Sequence, residues 1–312
     1  MRAVRVIVPA TSANLGPGFD ALGLALGMHD VLEARTVPEG PELSVSVEGV
    51  GAQDVPRDET HLVVRAMQWT FDVLNTRPPP LHLACRNAIP HGRGLGSSAA
   101  AIVGGVLAAR ALVPGGPEVL DDESVLAVAA ELEGHPDNVA PCLLGGATIA
   151  WATADRARAV RIPIHPDLRP IMCVPDQAVP TEAARGLLPQ TVPHPDAVHT
   201  AARTALLVEA LRERPDLLLE ATDDRLHQPY RAAAMPETAA TLGRLRAAGY
   251  PAVLSGAGPA VLVLASPADQ PGSIRQAMGS AAWQVLELAV DHRGALAEMP
   301  AESSGHDGPR AC

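Results

Sequence analysis

Hydrophobic positions along the chain switch repeatedly between a period of two and a period near 3.6 residues. Val4 to Val8 is a short β-branched run that predicts a strand closed by Pro9. Strand character returns over Val31 to Thr36 and Leu43 to Val47, with a Pro-Glu-Gly-Pro turn at 38–41 between them. Leu62, Ala66, Trp69 and Val73 recur at helical spacing and predict an amphipathic helix over 60–74. Leu81 to Cys85 alternates as a strand and leads into a glycine-rich loop. An Ala-rich helix is predicted from Ser98 to about Leu112, and another from Ser124 to Glu133. Asp121, Asp122 and Glu123 stand before the second, where the helix dipole favours negative charge.

Arg161 to Ile164 and Arg169 to Val174 predict strands of a second unit. Val198, Ala202 and Leu206 mark the face of a helix ending before Pro215, and Gly249 stops a helix over 238–248. Two strands, 251–254 and 260–264, flank the glycine turn Ser255-Gly-Ala-Gly-Pro259. The expected division is 1–155 and 156–300, with the polar residues 301–312 as a disordered tail.

Composition narrows the chemistry. A length of 312 residues accommodates two domains, and 47% hydrophobic residues supply a sizeable core. Two Phe, two Tyr and three Trp are too few for a base-stacking platform, and a net charge of −11 disfavours nucleic acid and anionic membranes. No run approaches 18 strongly apolar residues, so no membrane span is expected. Lysine is absent, which excludes a Schiff base and a Walker A lysine. Four cysteines without CxxC spacing, and an apolar N-terminal run too short for a signal peptide, predict a reduced, cytoplasmic chain.

The strongest chemical signal is Pro90-His-Gly-Arg-Gly-Leu-Gly-Ser-Ser-Ala-Ala100. Three glycines at every second position let the backbone turn tightly and present N–H groups to an anion. Ser97 and Ser98 place hydroxyls where a helix begins, and that N-terminus adds free donors. The loop is not a Walker A sequence. It also lacks the acidic ribose ligand of a dinucleotide fold, because Asp121 sits in a helix-start cluster with Asp122 and Glu123.

This loop resembles the ATP loop of the GHMP kinases, the superfamily of galactokinase, homoserine kinase, mevalonate kinase and phosphomevalonate kinase. Val8-Pro-Ala-Thr-Ser-Ala-Asn-Leu-Gly-Pro-Gly-Phe-Asp20 is similar to the superfamily's N-terminal motif, and Leu254-Ser-Gly-Ala-Gly-Pro-Ala260 to its C-terminal glycine motif. The resemblance covers residues 4 to about 300. It implies an α+β fold of two domains, S5-like at the N-terminus and ferredoxin-like at the C-terminus, with the active site between them. Glu133-Gly-His-Pro-Asp-Asn-Val-Ala-Pro141 is similar to the homoserine kinase version of a segment that reads Pro-Ser-Gly-x-Asp in other members.

What the resemblance implies is phosphorylation of L-homoserine by ATP with Mg²⁺, in threonine biosynthesis, by a homodimer. ATP would lie against Pro90, Gly92, Arg93, Gly94, Leu95, Gly96, Ser97, Ser98, Ala99 and Ala100. Arg93 has two readings, toward ATP or toward solvent. Asn138 stands where mevalonate-type relatives carry an aspartate base, so it would orient the hydroxyl rather than deprotonate it. Asp137 is the alternative base. Asp20 would hold the substrate ammonium beside Asn14, and Arg185 and Arg231 the carboxylate through bidentate forks. His135 either contacts substrate or caps the loop. Mg²⁺ would bind Ser98 and a helix glutamate, Glu133 in preference to Glu131, since residues two apart cannot both face the site. His61 occupies the place of an adenine-binding Asn, either donating a hydrogen bond or lying exposed. Two rival functions remain, a mevalonate-type kinase and a non-catalytic nucleotide or amino-acid sensor.

Overall fold

The computed structural model describes residues 2–38, 41–179, 184–279 and 282–299. The strands are β1 (Ala3–Ala13), β2 (Leu22–Thr36), β3 (Leu43–Gly49), β4 (Leu81–Asn87), β5 (Ala147–Ala152), β6 (Ala157–Ile162), β7 (Arg169–Val174), β8 (Ala252–Leu254), β9 (Val261–Ala265), β10 (Gln284–Glu287) and β11 (Leu296–Glu298). The helices are α1 (Leu62–Val73), α2 (Ser97–Leu112), α3 (Gly116–Val119), α4 (Asp122–Glu133), α5 (Pro136–Leu144), α6 (His194–Arg212), α7 (Leu218–Ala221), α8 (Gln228–Arg231), α9 (Pro236–Ala247) and α10 (Pro271–Met278).

Two sheets organise these elements. The first runs β11-β1-β2-β4-β3, with β5 also paired to β2 and β6 to β5. Its β3 and β4 are parallel and joined through α1; its other pairings are antiparallel. The second runs β10-β7-β9-β8 with every pair antiparallel. In chain order that is 4-1-3-2 with helices between the first and second and the third and fourth strands, the split βαβ arrangement of a ferredoxin-like domain.

β1 continues through Pro9 to Ala13 rather than ending at it. The register shifts between Pro9 and Ala10, and a bulge is where a strand tolerates a residue without an N–H. β6 belongs to the first sheet, hydrogen-bonded to β5 in a hairpin, so Arg161 and Ile162 are not strand residues of the second unit. A division at 155/156 therefore falls inside the hairpin turn, and β11 returns to β1 from the far end of the chain. The tail at 301–312 lies outside the described residues.

Two helices form where expected but bury another face. On α1 the buried residues are Val63, Val64, Ala66, Met67, Thr70 and Phe71, while Trp69 and Val73 are 41% and 49% exposed. On α6 Thr200, Leu207, Ala210 and Leu211 are buried, and Val198 is exposed. In chains this rich in Ala and Val, several stripes are apolar enough to bury, and packing selects among them.

α2 carries the phosphate loop and is wedged against α1, β1 and α4. A Cβ at Gly104 would lie 2.2 Å from Leu32 Cδ1, and one at Gly105 2.6 Å from the Val63 carbonyl oxygen. Glycine at these two positions allows the close approach that seats the helix. α4 starts on Asp121, whose carboxylate accepts the Ser124 N–H at 2.9 Å, and stops at Gly134 in the left-handed region.

Candidate active site

Three glycine-containing segments meet at the N-terminus of α2. Gly92, Gly94 and Gly96 all have positive φ (64°, 77° and 70°), while the residues between them do not. Alternation in the sign of φ turns successive N–H groups toward one side and builds a concave anion nest. The nest is tied on both sides. The Thr11 N–H donates to the Leu95 carbonyl at 3.0 Å, and the Ser255 hydroxyl donates to the Gly94 carbonyl and contacts Ser12 Oγ at 2.7 Å. The N-terminal motif, the phosphate loop and the C-terminal glycine motif are thus one hydrogen-bonded unit.

An acidic wall faces the nest. Ser98 Oγ donates to Glu133 Oε2 at 2.7 Å, whereas Glu131 is exposed. Burial pushes the Glu133 carboxyl above its ordinary range, partly offset by that hydrogen bond. One residue beyond Gly134 the chain enters α5. There His135 Nδ1 meets Asp137 Oδ1 at 2.6 Å. Burial pulls the His135 imidazole down, but the hydrogen bond to Asp137 and the Asp137 and Glu133 charges outweigh it and hold the ring above its usual value. Asn138 Oδ1 accepts the Thr11 hydroxyl at 2.8 Å, which leaves its amide N–H groups for a ligand.

Opposite lies a basic wall. Arg185 makes a two-pronged ion pair with Asp20, Nη1 to Oδ2 at 3.1 Å and Nη2 to Oδ1 at 2.8 Å. Asp20 is itself placed by its N–H, which donates to Asn14 Oδ1 at 2.9 Å. Asn14 Nδ2 in turn donates to the Gly256 carbonyl at 2.9 Å, and Arg231 Nη1 donates to the same oxygen at 3.1 Å. The Phe19 ring lies 5.7 Å from the Arg185 guanidinium and 5.6 Å from that of Arg231, a shared aromatic floor for two cations. Asn14, Glu133, His135, Asp137, Asn138, Arg185 and Arg231 line one cleft with the nest glycines and both serines.

Ser97 and Ser98 also line a second, more apolar pocket of about 250 Å³. It is walled by Val8, Leu32, Val55, Pro56, Leu62 and Val63, with His61, His91 and Asn87 as its polar edge. His61 is buried and its Nδ1 has no hydrogen-bond partner among the described residues. Burial, then the nearby His91, pushes the ring's pKa down and keeps it neutral. A buried neutral imidazole with an orphaned nitrogen is suited to a planar heterocycle bearing donors and acceptors. The two pockets meet at Ser97 and Ser98, which line both.

Two family profiles match the sequence. The GHMP kinases N terminal domain matches residues 61–146, and the GHMP kinases C terminal region matches 203–284. A homoserine kinase of Streptomyces avermitilis is 55% identical over 293 residues, covering 94% of this chain and 95% of the relative. One of Leifsonia xyli is 51% identical over 306 residues, covering 97% and 94%. The chain belongs to the homoserine kinase family of the GHMP kinases. The crystal structure of homoserine kinase from Cytophaga hutchinsonii superposes with a TM-score of 0.80 at 26% identity, covering 96% of this chain and 98% of that one.

Within this homoserine kinase fold the cleft gathers Asn14, Glu133, His135, Asn138, Arg185 and Arg231, and Asp20 is bound to Arg185. Ser98 with Glu133 separates the two glutamates that the sequence left competing. Arg93 is a correction. Its Nε, Nη1 and Nη2 donate to the carbonyls of Pro175, His91 and Asp176, so its side chain braces the loop and faces neither ligand pocket. Leu95, Ala99 and Ala100 have buried side chains, and of these only Ala100 borders the second pocket. His61 is buried rather than exposed.

Sequence reasoning passed over Thr11, Phe19 and His227. Thr11 and Phe19 lie within the N-terminal motif and His227 begins the segment His227-Gln-Pro-Tyr-Arg231; a hydroxyl, one of the chain's two phenylalanines and a histidine one turn before Arg231 were the available signals. His61→Ala is expected to raise the KM for ATP by about 3- to 10-fold with kcat unchanged, the worth of one buried hydrogen bond. Initial rates at varied ATP check this. Because the ring's folded pKa lies below its unfolded one, stability should also decline as pH falls from about 6.5 toward the depressed value, where only the unfolded chain takes up the proton.

Proposed function

We propose that this protein transfers the γ-phosphoryl group of ATP to the side-chain hydroxyl of L-homoserine, giving O-phospho-L-homoserine for threonine biosynthesis. The observation that carries this reading is the pairing of opposite recognition chemistries across the mouth of one phosphate nest. Ser98 and Glu133 stand at its rim on one side, and Asp20, Arg185 and Arg231 stand on the other. A zwitterion needs an acid for its ammonium and a guanidinium fork for its carboxylate. The Asp20–Arg185 pair presents both, already matched to each other.

ATP fits the pocket and nest together: the orphaned His61 nitrogen for the base, and the alternating-φ loop with the α2 N-terminus for the phosphates. The adjoining donors suit Mg²⁺ as well. Ser98 Oγ and the Glu133 carboxylate are hard oxygens, and Mg²⁺ characteristically takes one or two carboxylates and completes its shell with phosphate and water. Bound there, the ion would neutralise charge on the transferring group.

The residues themselves perform orientation rather than proton removal. Asn138, with Oδ1 engaged by Thr11, offers N–H donors that can hold the acceptor oxygen in line. Asp137 is buried and engaged by His135, so its carboxylate serves to fix that ring. Arg185 and Arg231 hold the acceptor's far end above the Phe19 ring, with Asp20 balancing one of the two guanidinium charges.

The test is ADP release with Mg-ATP and, in turn, L-homoserine, mevalonate, L-threonine and no acceptor. Homoserine-dependent release is expected, with Arg231→Ala raising the KM for homoserine by about 10- to 100-fold, the range for one lost charged hydrogen bond. Turnover of mevalonate in preference to homoserine would overturn the substrate. Silence with all acceptors despite ATP binding would leave a sensor.

A further inference from the structure

His227 takes no part in the chemistry above, yet it is fully buried and both of its ring nitrogens have partners. Nε2 lies 2.8 Å from the Gly16 carbonyl oxygen, and Nδ1 lies 3.0 Å from Arg231 Nη1. A carbonyl can only accept, so Nε2 carries the proton. A guanidinium can only donate, so Nδ1 is bare. The two contacts therefore define a single neutral tautomer without any appeal to acidity. The ring also stacks on Phe19, with centroids 5.1 Å apart and 29° between planes.

The backbone delivers this ring to one place. Asp224 accepts N–H bonds from Leu226, His227 and Gln228 at 2.8, 3.1 and 2.8 Å, which pins the entry to the one-turn helix α8. His227 and Arg231 are four residues apart across that turn, the spacing that stacks side chains on one helix face. Arg231 is itself 2% exposed. Its Nε donates to the Ala184 carbonyl at 3.4 Å, and its Nη1 is shared between His227 and Gly256. Nη2 forms no hydrogen bond among the described residues, and Arg231 lines the substrate cleft.

We propose that His227 is the positioning residue for Arg231. As a neutral acceptor it takes one N–H of Nη1, turns the guanidinium so that Nη2 faces the cleft, and ties that orientation through Gly16 to the N-terminal motif that carries Phe19 and Asp20. The proposal rests on the reading of Arg231 as a carboxylate ligand. It adds that a histidine outside the cleft sets the affinity for the acceptor, and that the ring must remain unprotonated at Nδ1.

The test uses His227→Phe, which keeps the ring and its stacking but has no acceptor, and His227→Gln, which restores one acceptor and one donor. His227→Phe should raise the KM for L-homoserine about tenfold while kcat and the KM for ATP stay within about twofold, the pattern of lost ground-state binding. His227→Gln should recover part of that loss. In an Arg231→Ala background the His227→Phe effect should vanish, because the two act through one contact. An undiminished effect in that background, or equal losses in kcat and the KM for ATP, would overturn the proposal. Nitrogen-15 NMR of the intact protein gives a readout that needs no acceptor. The His227 Nδ1 resonance should be that of a bare, hydrogen-bonded nitrogen and should shift in Arg231→Ala. No shift would refute the contact even if homoserine proved not to be the substrate. A shift alongside inactivity on homoserine would keep the contact and refute the substrate.

Discussion

Glu133→Gln is expected to lower kcat by about 10²- to 10³-fold, the usual cost of removing one preorganised electrostatic contact from a transferring group. The substitution preserves shape and can still accept the Ser98 hydroxyl, now at 2.7 Å, so the loss isolates the charge. Glutamate is retained there against a cost, since burial alone favours its neutral form. An ionised carboxylate in that place needs a cation beside it. Steady-state rates across a Mg²⁺ titration should show a weaker half-saturation for the variant and a KM for homoserine close to that of the parent. Glu131→Gln, on an exposed part of α4, should behave as the parent. A fully active Glu133→Gln, or equal losses at both positions, would remove Glu133 from the site.

The second large effect is expected at the loop. Gly96→Ala should abolish measurable ATP turnover and lower the thermal midpoint. An L side chain in the left-handed region costs roughly 1–2 kcal/mol. Here its Cβ would also fall 1.9 Å from Thr11 Oγ1 and 3.1 Å from Asn138 Oδ1. Thr11 cannot retreat freely because its N–H is bonded to Leu95. Relief of the clash therefore displaces Asn138 or opens the nest, and either removes function. Adding Thr11→Ala to Gly96→Ala deletes the clashing hydroxyl. That double variant should regain part of the lost midpoint, at roughly 2–4 °C per kcal/mol, without regaining turnover, since Asn138 loses the partner that orients it. Thermal unfolding followed beside ADP release separates the two outcomes. Normal turnover in Gly96→Ala would contradict the whole geometry of the loop.

The parts of this site that were readable from sequence are those where backbone chemistry leaves a mark. Glycine at 92, 94 and 96 is demanded by φ, and serine at a helix start is demanded by what a phosphate binds. Such requirements survive as residue types at fixed spacing. Placements decided by packing left no comparable mark. Arg93 and Arg231 are the same residue type and both bond backbone carbonyls, yet Arg93 lines neither pocket whereas Arg231, held by Ala184, Gly256 and His227, lines the cleft. Glu131 and Glu133 differ only in the face of α4 they occupy, and which face meets Ser98 is decided by how α4 packs against α2. The helix faces of α1 and α6 misled for a related reason: with Ala and Val on all sides, periodicity carries little contrast. His227 stands four residues before Arg231, a spacing legible in the sequence, but its bond to Gly16, 211 residues away, was not.

The return of the last strand has a consequence for how the molecule is made. β11 supplies the edge partner of β1 over Arg5 to Ile7, and just before it the backbone of residues 289–295 bonds to Gly27, Ala25, Gly146 and Cys142. On a ribosome, β1 emerges well before β11. The β1 edge of the first sheet therefore stays open until β11 appears, and all four strands of the ferredoxin-like unit are made before that edge is covered. The edge of the first sheet is thus closed by a segment made nearly 300 residues after β1 begins. A polypeptide released short of residue 298 would keep both glycine motifs and every ligand-facing residue, yet present an unpaired strand to its neighbours.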